Sequence, residues 1–238
     1  VRVGSAENRE GSSRFYTHRV NVRRAEHHGV DWQLEFLKGI PGIKLPDPIP
    51  VEFTFPDFSF AEESLHYKLR HAGWDEKQNF VVMAPGARWE TKKWLPERFA
   101  EVGERIHQEY GYASLLIGTK EDQQTGSIIE SILKKKSFNV IGKTTLPELA
   151  LLLKRAKIIL ANDTGPMHLA AALGTPVIAI YGPTDSNLYS PYGDLGKVVK
   201  VDVPCGPCHK RVCPGYNHVC MTNITSDQVY SAVISYLK

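Results

Sequence analysis

Between Asn79 and Tyr181 the chain alternates short apolar runs with amphipathic stretches, and little separates them. The apolar runs are residues 80–84, 114–117, 138–141, 158–161 and 177–181. Between them, residues 96–109, 121–134, 145–153 and 166–173 carry helical spacing; Phe99, Val102 and Ile106, for example, share one side. Strands separated by helices predict an α/β fold, a doubly wound parallel sheet with a helical layer on each face. Val177, Ile178, Ala179 and Ile180 are apolar without alternation, as a strand buried on both faces requires. Ligands of such sheets bind beyond the carboxyl ends of the strands. That directs attention to the loops after Ala84, Ile117, Ile141, Ala161 and Tyr181.

Helix punctuation follows the same scheme. Thr145-x-x-Glu148 is a capping box with Pro147 in the first turn. Gly174 and Pro176 end the helix over 166–173. A second box, Thr225-x-x-Gln228, opens a closing helix that carries Val229, Val233, Tyr236 and Leu237. Residues 62–72 read as an amphipathic helix ending at Gly73, and 51–56, with Phe53 and Phe55 alternating, as an edge strand. The balance of 29 Lys and Arg against 26 Asp and Glu gives a net charge of +3, too even for a nucleic-acid binder. The basic run Lys134, Lys135, Lys136 ends a predicted helix, where cations suit the dipole. No apolar stretch is long enough to span a membrane, and no signal peptide is visible.

Two segments beyond strand ends invite an anion. Asn162-Asp163-Thr164-Gly165-Pro166-Met167-His168 follows the fourth run and opens a helix. Free N–H groups at a helix start, with the positive end of the dipole, favour a phosphate. Gly165 permits close approach, Thr164 adds a hydroxyl donor, and His168 in the first turn can face the same ligand. Asp163 would repel phosphate and is assigned to ligand hydroxyls or to orienting His168. Pro85-Gly86-Ala87-Arg88-Trp89-Glu90-Thr91-Lys92-Lys93-Trp94 follows the first run. Arg88 and Lys92 offer positive charge there, and Thr91 is a candidate helix cap. The structural alternatives are a plain N-cap at the first segment and, at the second, a solvated loop with Trp94 as a hydrophobic staple. Two anion-friendly helix starts on one sheet edge favour the ligand. Glu121, or Asp122 beside it, is placed to bind ribose hydroxyls after the second run, though acids also suit a helix start. Thr144, in the loop after Ile141, completes the candidate contacts. Neither a G-x-G-x-x-G nor a phosphate-loop lysine motif occurs.

Cys205, Cys208, Cys213 and Cys220 read Cys-x2-Cys-x4-Cys-x6-Cys. Structural thiols without metal are the adopted reading. Zinc, with His209 and His218 as further ligands, is the alternative, although the pairs lie closer than in common zinc ribbons.

At Pro85-Gly86-Ala87 through Lys92-Lys93-Trp94, at Asp163-Thr164-Gly165-Pro166-Met167-His168 through Gly174-Thr175-Pro176, and at Tyr181-Gly182-Pro183-Thr184-Asp185, the sequence resembles glycosyltransferase family 9, the lipopolysaccharide heptosyltransferases. The Cys205-x-Pro207-Cys208 segment adds to the likeness, which covers 79–238. The resemblance implies the carboxyl-terminal half of a GT-B enzyme, with a Rossmann-like domain over 61–238 that binds a nucleotide-sugar, usually ADP-heptose. Residues 1–60 are then a remnant of the acceptor domain and the interdomain segment. It further implies that Lys92, Thr164 and Gly165 contact the diphosphate and that Asp163 and His168 lie near the sugar and phosphate. Glu121 matches the nucleoside-contacting acid, and Arg88 stands where some members carry a hydroxyl residue. Lys92 and His168 are the expected catalytic groups. The aspartate base lies in the family's other domain, most of which the sequence reading expects to be missing. Inverting transfer to a lipid-linked oligosaccharide, on the cytoplasmic side and without a cofactor, is the function this implies. Another GT-B transferase using a UDP- or GDP-sugar, and a non-catalytic nucleotide-binding module, are the alternatives.

Overall fold

The structure, a computed structural model, describes residues 1–7, 10–75 and 78–237. The chain divides into two compact units, Val1–Thr54 with Ser186–Ser190, and Phe55–Asp185 with Pro191–Lys238.

The first unit is small. Strands β1 (Val3–Ser5) and β2 (His18–Val20) pair in parallel, and a short helix, α1 (Gly29–Glu35), follows. The Arg24 guanidinium lies over the rings of Trp32 and Tyr189, at 5.1 and 5.0 Å. Tyr189 belongs to α7 (Ser186–Tyr189), which joins this unit from far along the chain. Residues 51–56 form no strand. The alternation of Phe53 and Phe55 is real, but an edge strand needs a neighbouring strand to bond with, and Pro50 and Pro56 bracket the stretch.

The second unit contains the expected sheet. After α2 (Glu62–His71) come β3 (Phe80–Ala84), α3 (Pro96–Tyr110), β4 (Ala113–Leu116), α4 (Gln123–Leu133) and β5 (Ser137–Asn139). Then follow α5 (Leu146–Arg155), β6 (Ile159–Asn162), α6 (Gly165–Ala172), β7 (Val177–Ile180), β8 (Gly196–Val199), α8 (Val219–Thr222) and α9 (Ser226–Leu237). All six strands are parallel, in the order β5-β4-β3-β6-β7-β8. Counted from β3 this is 3-2-1-4-5-6, the order of a Rossmann sheet, and the winding reverses between β3 and β6. The sixth strand was not foreseen. It is short, begins at a glycine and lies at the sheet edge, so it lacks the apolar run of a buried strand.

Period-two alternation sorts the strand side chains into two layers. Phe80, Val82, Ala84, Ala113, Leu115, Ile159, Ala161, Val177 and Ala179 pack with Leu65 and Leu69 of α2, Leu152 of α5 and Met167 of α6. Val81, Met83, Leu116, Leu160, Ile178 and Ile180 face α3, α4 and α9 on the other side. Local signals fix the helix starts. Glu148 and Thr145 close the box at α5, with Thr145 N donating to Glu148 Oε2 at 2.6 Å. Thr225 and Gln228 do the same at α9. Trp94 is the staple of α3, edge-on to Phe99 with ring centroids 5.0 Å apart. Thr91 is not the cap of α3, which begins later, at Pro96 after Leu95; its hydroxyl instead donates to Lys210 O at 2.8 Å.

Candidate functional site

The two loops that leave the sheet at its reversal point are those after β3 and β6. Asn162, the last residue of β6, ties them together from a fully buried position. Its Nδ2 donates to Pro85 O at 2.7 Å and its Oδ1 accepts from Trp94 N at 3.2 Å. One buried amide thus holds both ends of the 85–94 loop, with donor and acceptor both satisfied.

Next along the chain, the Asp163 carboxylate receives Lys92 Nζ and Thr184 Oγ1, each at 2.6 Å. Both side chains of the ion pair are largely buried, Lys92 at 17% and Asp163 at 7% exposure. Lys92 Nζ also lies 4.6 Å from the centre of the Trp89 ring. An ammonium has three donors, so these contacts aim Lys92 without using it up. Tyr181 packs behind the pair, and burial, with the Asp163 charge and a hydrogen bond to it, pushes its phenol well above the ordinary range.

These loops enclose a cleft of about 890 Å³. Arg88, Lys92, Glu121, Thr144, Asp163, Thr164 and Gly165 all line it. His168 does not; it is exposed on α6, outside the lining. Thr164 occupies the cap position of α6 without a side-chain capping bond, so the start of that helix opens on the cleft with its hydroxyl alongside. Gly165 is exposed, and a methyl group there would meet nothing within 4 Å.

The two neighbouring acids separate cleanly. Asp122 is buried, and its Oδ2 accepts from Thr119 N at 2.8 Å and Thr119 Oγ1 at 2.9 Å, forming a third capping box. Glu121 is exposed at the cleft wall, and hydrogen bonds at Thr119 and at its own backbone hold its carboxyl below the usual value. Asp122 therefore shapes the wall, while Glu121 faces the space. Gly86 is required beside it, because any side chain there would collide with the Asp122 carboxylate.

Sequence reasoning did not find Asn162, the Thr184 bond to Asp163, or Trp89 as part of the lining. Only Asn162 left a signal: an amide closing a buried apolar strand must have partners. The four cysteines are unbridged and line a second, smaller cavity. Burial, then the nearby sulfurs of Cys208, Cys205 and Cys213, raise the Cys220 thiol. Among the described residues, no three His, Cys, Asp or Glu side chains are already set as a metal site, and no helix is long and apolar enough to cross a membrane.

Known proteins resemble this chain in sequence and in fold. The chain is 32% identical over 167 residues to lipooligosaccharide heptosyltransferase 2 of Campylobacter jejuni, across 68% of this chain and 52% of that protein. It is 26% identical over 201 residues to lipopolysaccharide heptosyltransferase 2 of Escherichia coli, across 82% and 57% respectively. The chain thus spans about half the length of these curated relatives. Its fold matches the solved E. coli ADP-heptose LPS heptosyltransferase II with a TM-score of 0.72 at 22% identity, covering 95% of this chain and 68% of that one. It also matches an E. coli heptosyltransferase solved with ADP, with a TM-score of 0.64 at 22% identity, covering 94% and 61%. These are GT-B enzymes, and the Rossmann-like sheet found here is of their kind. The model of glycosyltransferase family 9 (heptosyltransferase) matches residues 1–218, and the chain belongs to that family.

Proposed function

We propose that this chain forms the donor-binding half of a heptosyltransferase that moves a sugar, with inversion, from ADP-heptose to a lipopolysaccharide core acceptor. The observation that carries the reading is the Lys92–Asp163 pair, which locks the two loops at the sheet reversal onto one cleft. The diphosphate lies between Lys92 and the start of α6, with Thr164 and the Gly165 backbone against it. Glu121 takes the ribose hydroxyls, and Thr144 and Arg88 border the nucleotide. Asp163 serves the site by aiming Lys92, and His168 stands on the outer side of α6, toward the sugar.

Transfer begins when a base removes the acceptor hydroxyl proton; by family resemblance that base is an aspartate of the other domain. The hydroxyl oxygen then attacks the anomeric carbon, and the bond to the diphosphate oxygen breaks. Lys92 and the helix start stabilise the charge growing on the departing diphosphate. The relative solved with ADP supports an adenine nucleotide. The setting that fits a lipid-linked acceptor is the cytoplasmic face of the inner membrane.

Calorimetry with ADP, UDP and GDP on the full chain tests the donor. ADP is expected to bind tightest, and Lys92→Ala to weaken it by about tenfold or more, the equivalent of ~1.4 kcal/mol. Unchanged affinity in the variant removes Lys92 from the diphosphate site, and tighter binding of UDP or GDP reassigns the donor.

A further inference from the structure

Trp89 lines the cleft and carries two cations, one from its own loop and one from far along the chain. The first is Lys92. Residues Glu90–Lys92 form one turn of 3-10 helix, with Lys92 N donating to Trp89 O at 3.0 Å. The turn brings the two side chains together, and Lys92 Nζ lies 4.6 Å from the ring centre. The second is Arg211, from residues 200–218, a segment without helix or strand. Its guanidinium lies 5.4 Å from the same ring centre. Two neighbouring bonds hold the segment there: Lys210 O accepts the Thr91 hydroxyl at 2.8 Å, and His209 N donates to Pro183 O at 2.8 Å. Lys92 is already paired with Asp163, so those two groups together bring no net charge to a ligand. Arg211 is exposed. Among the described residues, no carboxylate pairs with it.

We propose that Arg211 is a further donor-binding residue, seated by Trp89, and that it supplies the diphosphate with the positive charge that Asp163 cancels at Lys92. The inference rests on the donor reading above. A sugar diphosphate carries a negative charge on each phosphate, and the departing diphosphate gains another, which fixed positive groups must meet. A neutral ion pair and a helix start answer that only in part. The two distances to the ring centre put Arg211 within about 10 Å of Lys92 Nζ, the Debye length at 0.1 M salt, so its charge is felt at the diphosphate without direct contact. Trp89 is the positioning residue. The negative face of an indole attracts a guanidinium, and that attraction keeps the long exposed side chain of Arg211 beside the cleft wall.

Calorimetry of ADP and AMP on the full chain tests this. At low salt Arg211→Ala is expected to weaken ADP about fourfold, the Coulomb effect of one charge on two at that range, and AMP by less. The gap from wild type is expected to close at ~0.5 M salt, which a merely structural role would not produce. Trp89→Leu should weaken ADP at least as much and Trp89→Phe less. Adding Arg211→Ala to Trp89→Leu should cost nothing more, because Arg211 acts from the ring. Lys92→Ala separates the two readings. If it leaves ADP binding unchanged, the donor reading fails; if it weakens ADP while Arg211→Ala does not, this inference fails alone. A gap that persists at high salt, an equal loss for AMP, or additive effects of Trp89→Leu and Arg211→Ala also overturn it.

Discussion

At Gly165 the protein itself leaves room for a methyl group, with nothing within 4 Å, and the backbone there is not left-handed. On the proposed reading, the missing side chain leaves room for the diphosphate. Gly165→Ala should leave the melting temperature unchanged or slightly raised, because alanine is the better helix residue by up to ~1 kcal/mol. The same change should weaken ADP binding by about tenfold. A variant that binds ADP as well as wild type would move the diphosphate away from α6. Lys92 differs in kind. Its removal strips the buried Asp163 carboxylate of its cation, so that variant should also lose stability, on the order of 2 kcal/mol, with the Thr184 and Tyr181 contacts to Asp163 offsetting part of the loss. Comparing the two variants separates ligand contact from charge pairing.

Elements here begin where local chemistry tells them to. The α5 box and the α3 staple are each made of residues within a few positions of one another, and so were visible in the sequence. Their worth differs. Thr145→Ala removes one capping acceptor and should cost about 1 kcal/mol. Trp94→Ala removes a side chain that is 1% exposed; its indole also donates to Ile224 O at 3.0 Å, tying α3 to the approach to α9. That change should cost about 3–5 kcal/mol, and chemical denaturation of both variants measures the contrast. If Trp94→Ala proved no worse than Thr145→Ala, the loop carrying Lys92 would not be anchored through this ring. The elements misjudged from sequence were those whose existence depends on a distant partner: β8 exists because β7 offers it an edge, and 51–56 has no such neighbour.

At the scale of the whole molecule, Glu148, 2% exposed beneath α2, ties acid sensitivity to the packing of α2 on α5. Burial alone would raise its carboxyl, but hydrogen bonds from Lys68, Ser64 and Thr145 outweigh burial and bring it from 4.5 down to about 2. Because the folded value is the lower one, the native state gains stability once the unfolded carboxyl is ionised, above about pH 4.5. That gain, about 3 kcal/mol at most, disappears as pH falls toward 2. Thermal melts of wild type and Glu148→Gln should accordingly differ most at neutral pH and converge across that acid window. A constant gap down to low pH would show that the contribution of Glu148 is not ionic. The bond from Lys68 joins α2 to α5 across 80 residues of sequence, which no reading of local pattern could supply.

The sequence by itself determined five of the six strands, the helices between them and the sheet edge that carries the cleft, because apolar periodicity and capping chemistry act over a few residues and repeat along the chain. That Arg88, Lys92, Glu121, Thr144, Asp163, Thr164 and Gly165 line one cleft was legible for the same reason: each lies in a loop or turn that follows a strand. Tertiary structure alone decided which groups meet. It set Asp163 against Lys92 and Thr184, gave Asn162 both ends of one loop, turned Asp122 inward while Glu121 faces the cleft, and left His168 outside the lining. Partners in a buried network are chosen by where the chain returns in space, and a buried polar group can afford no other arrangement.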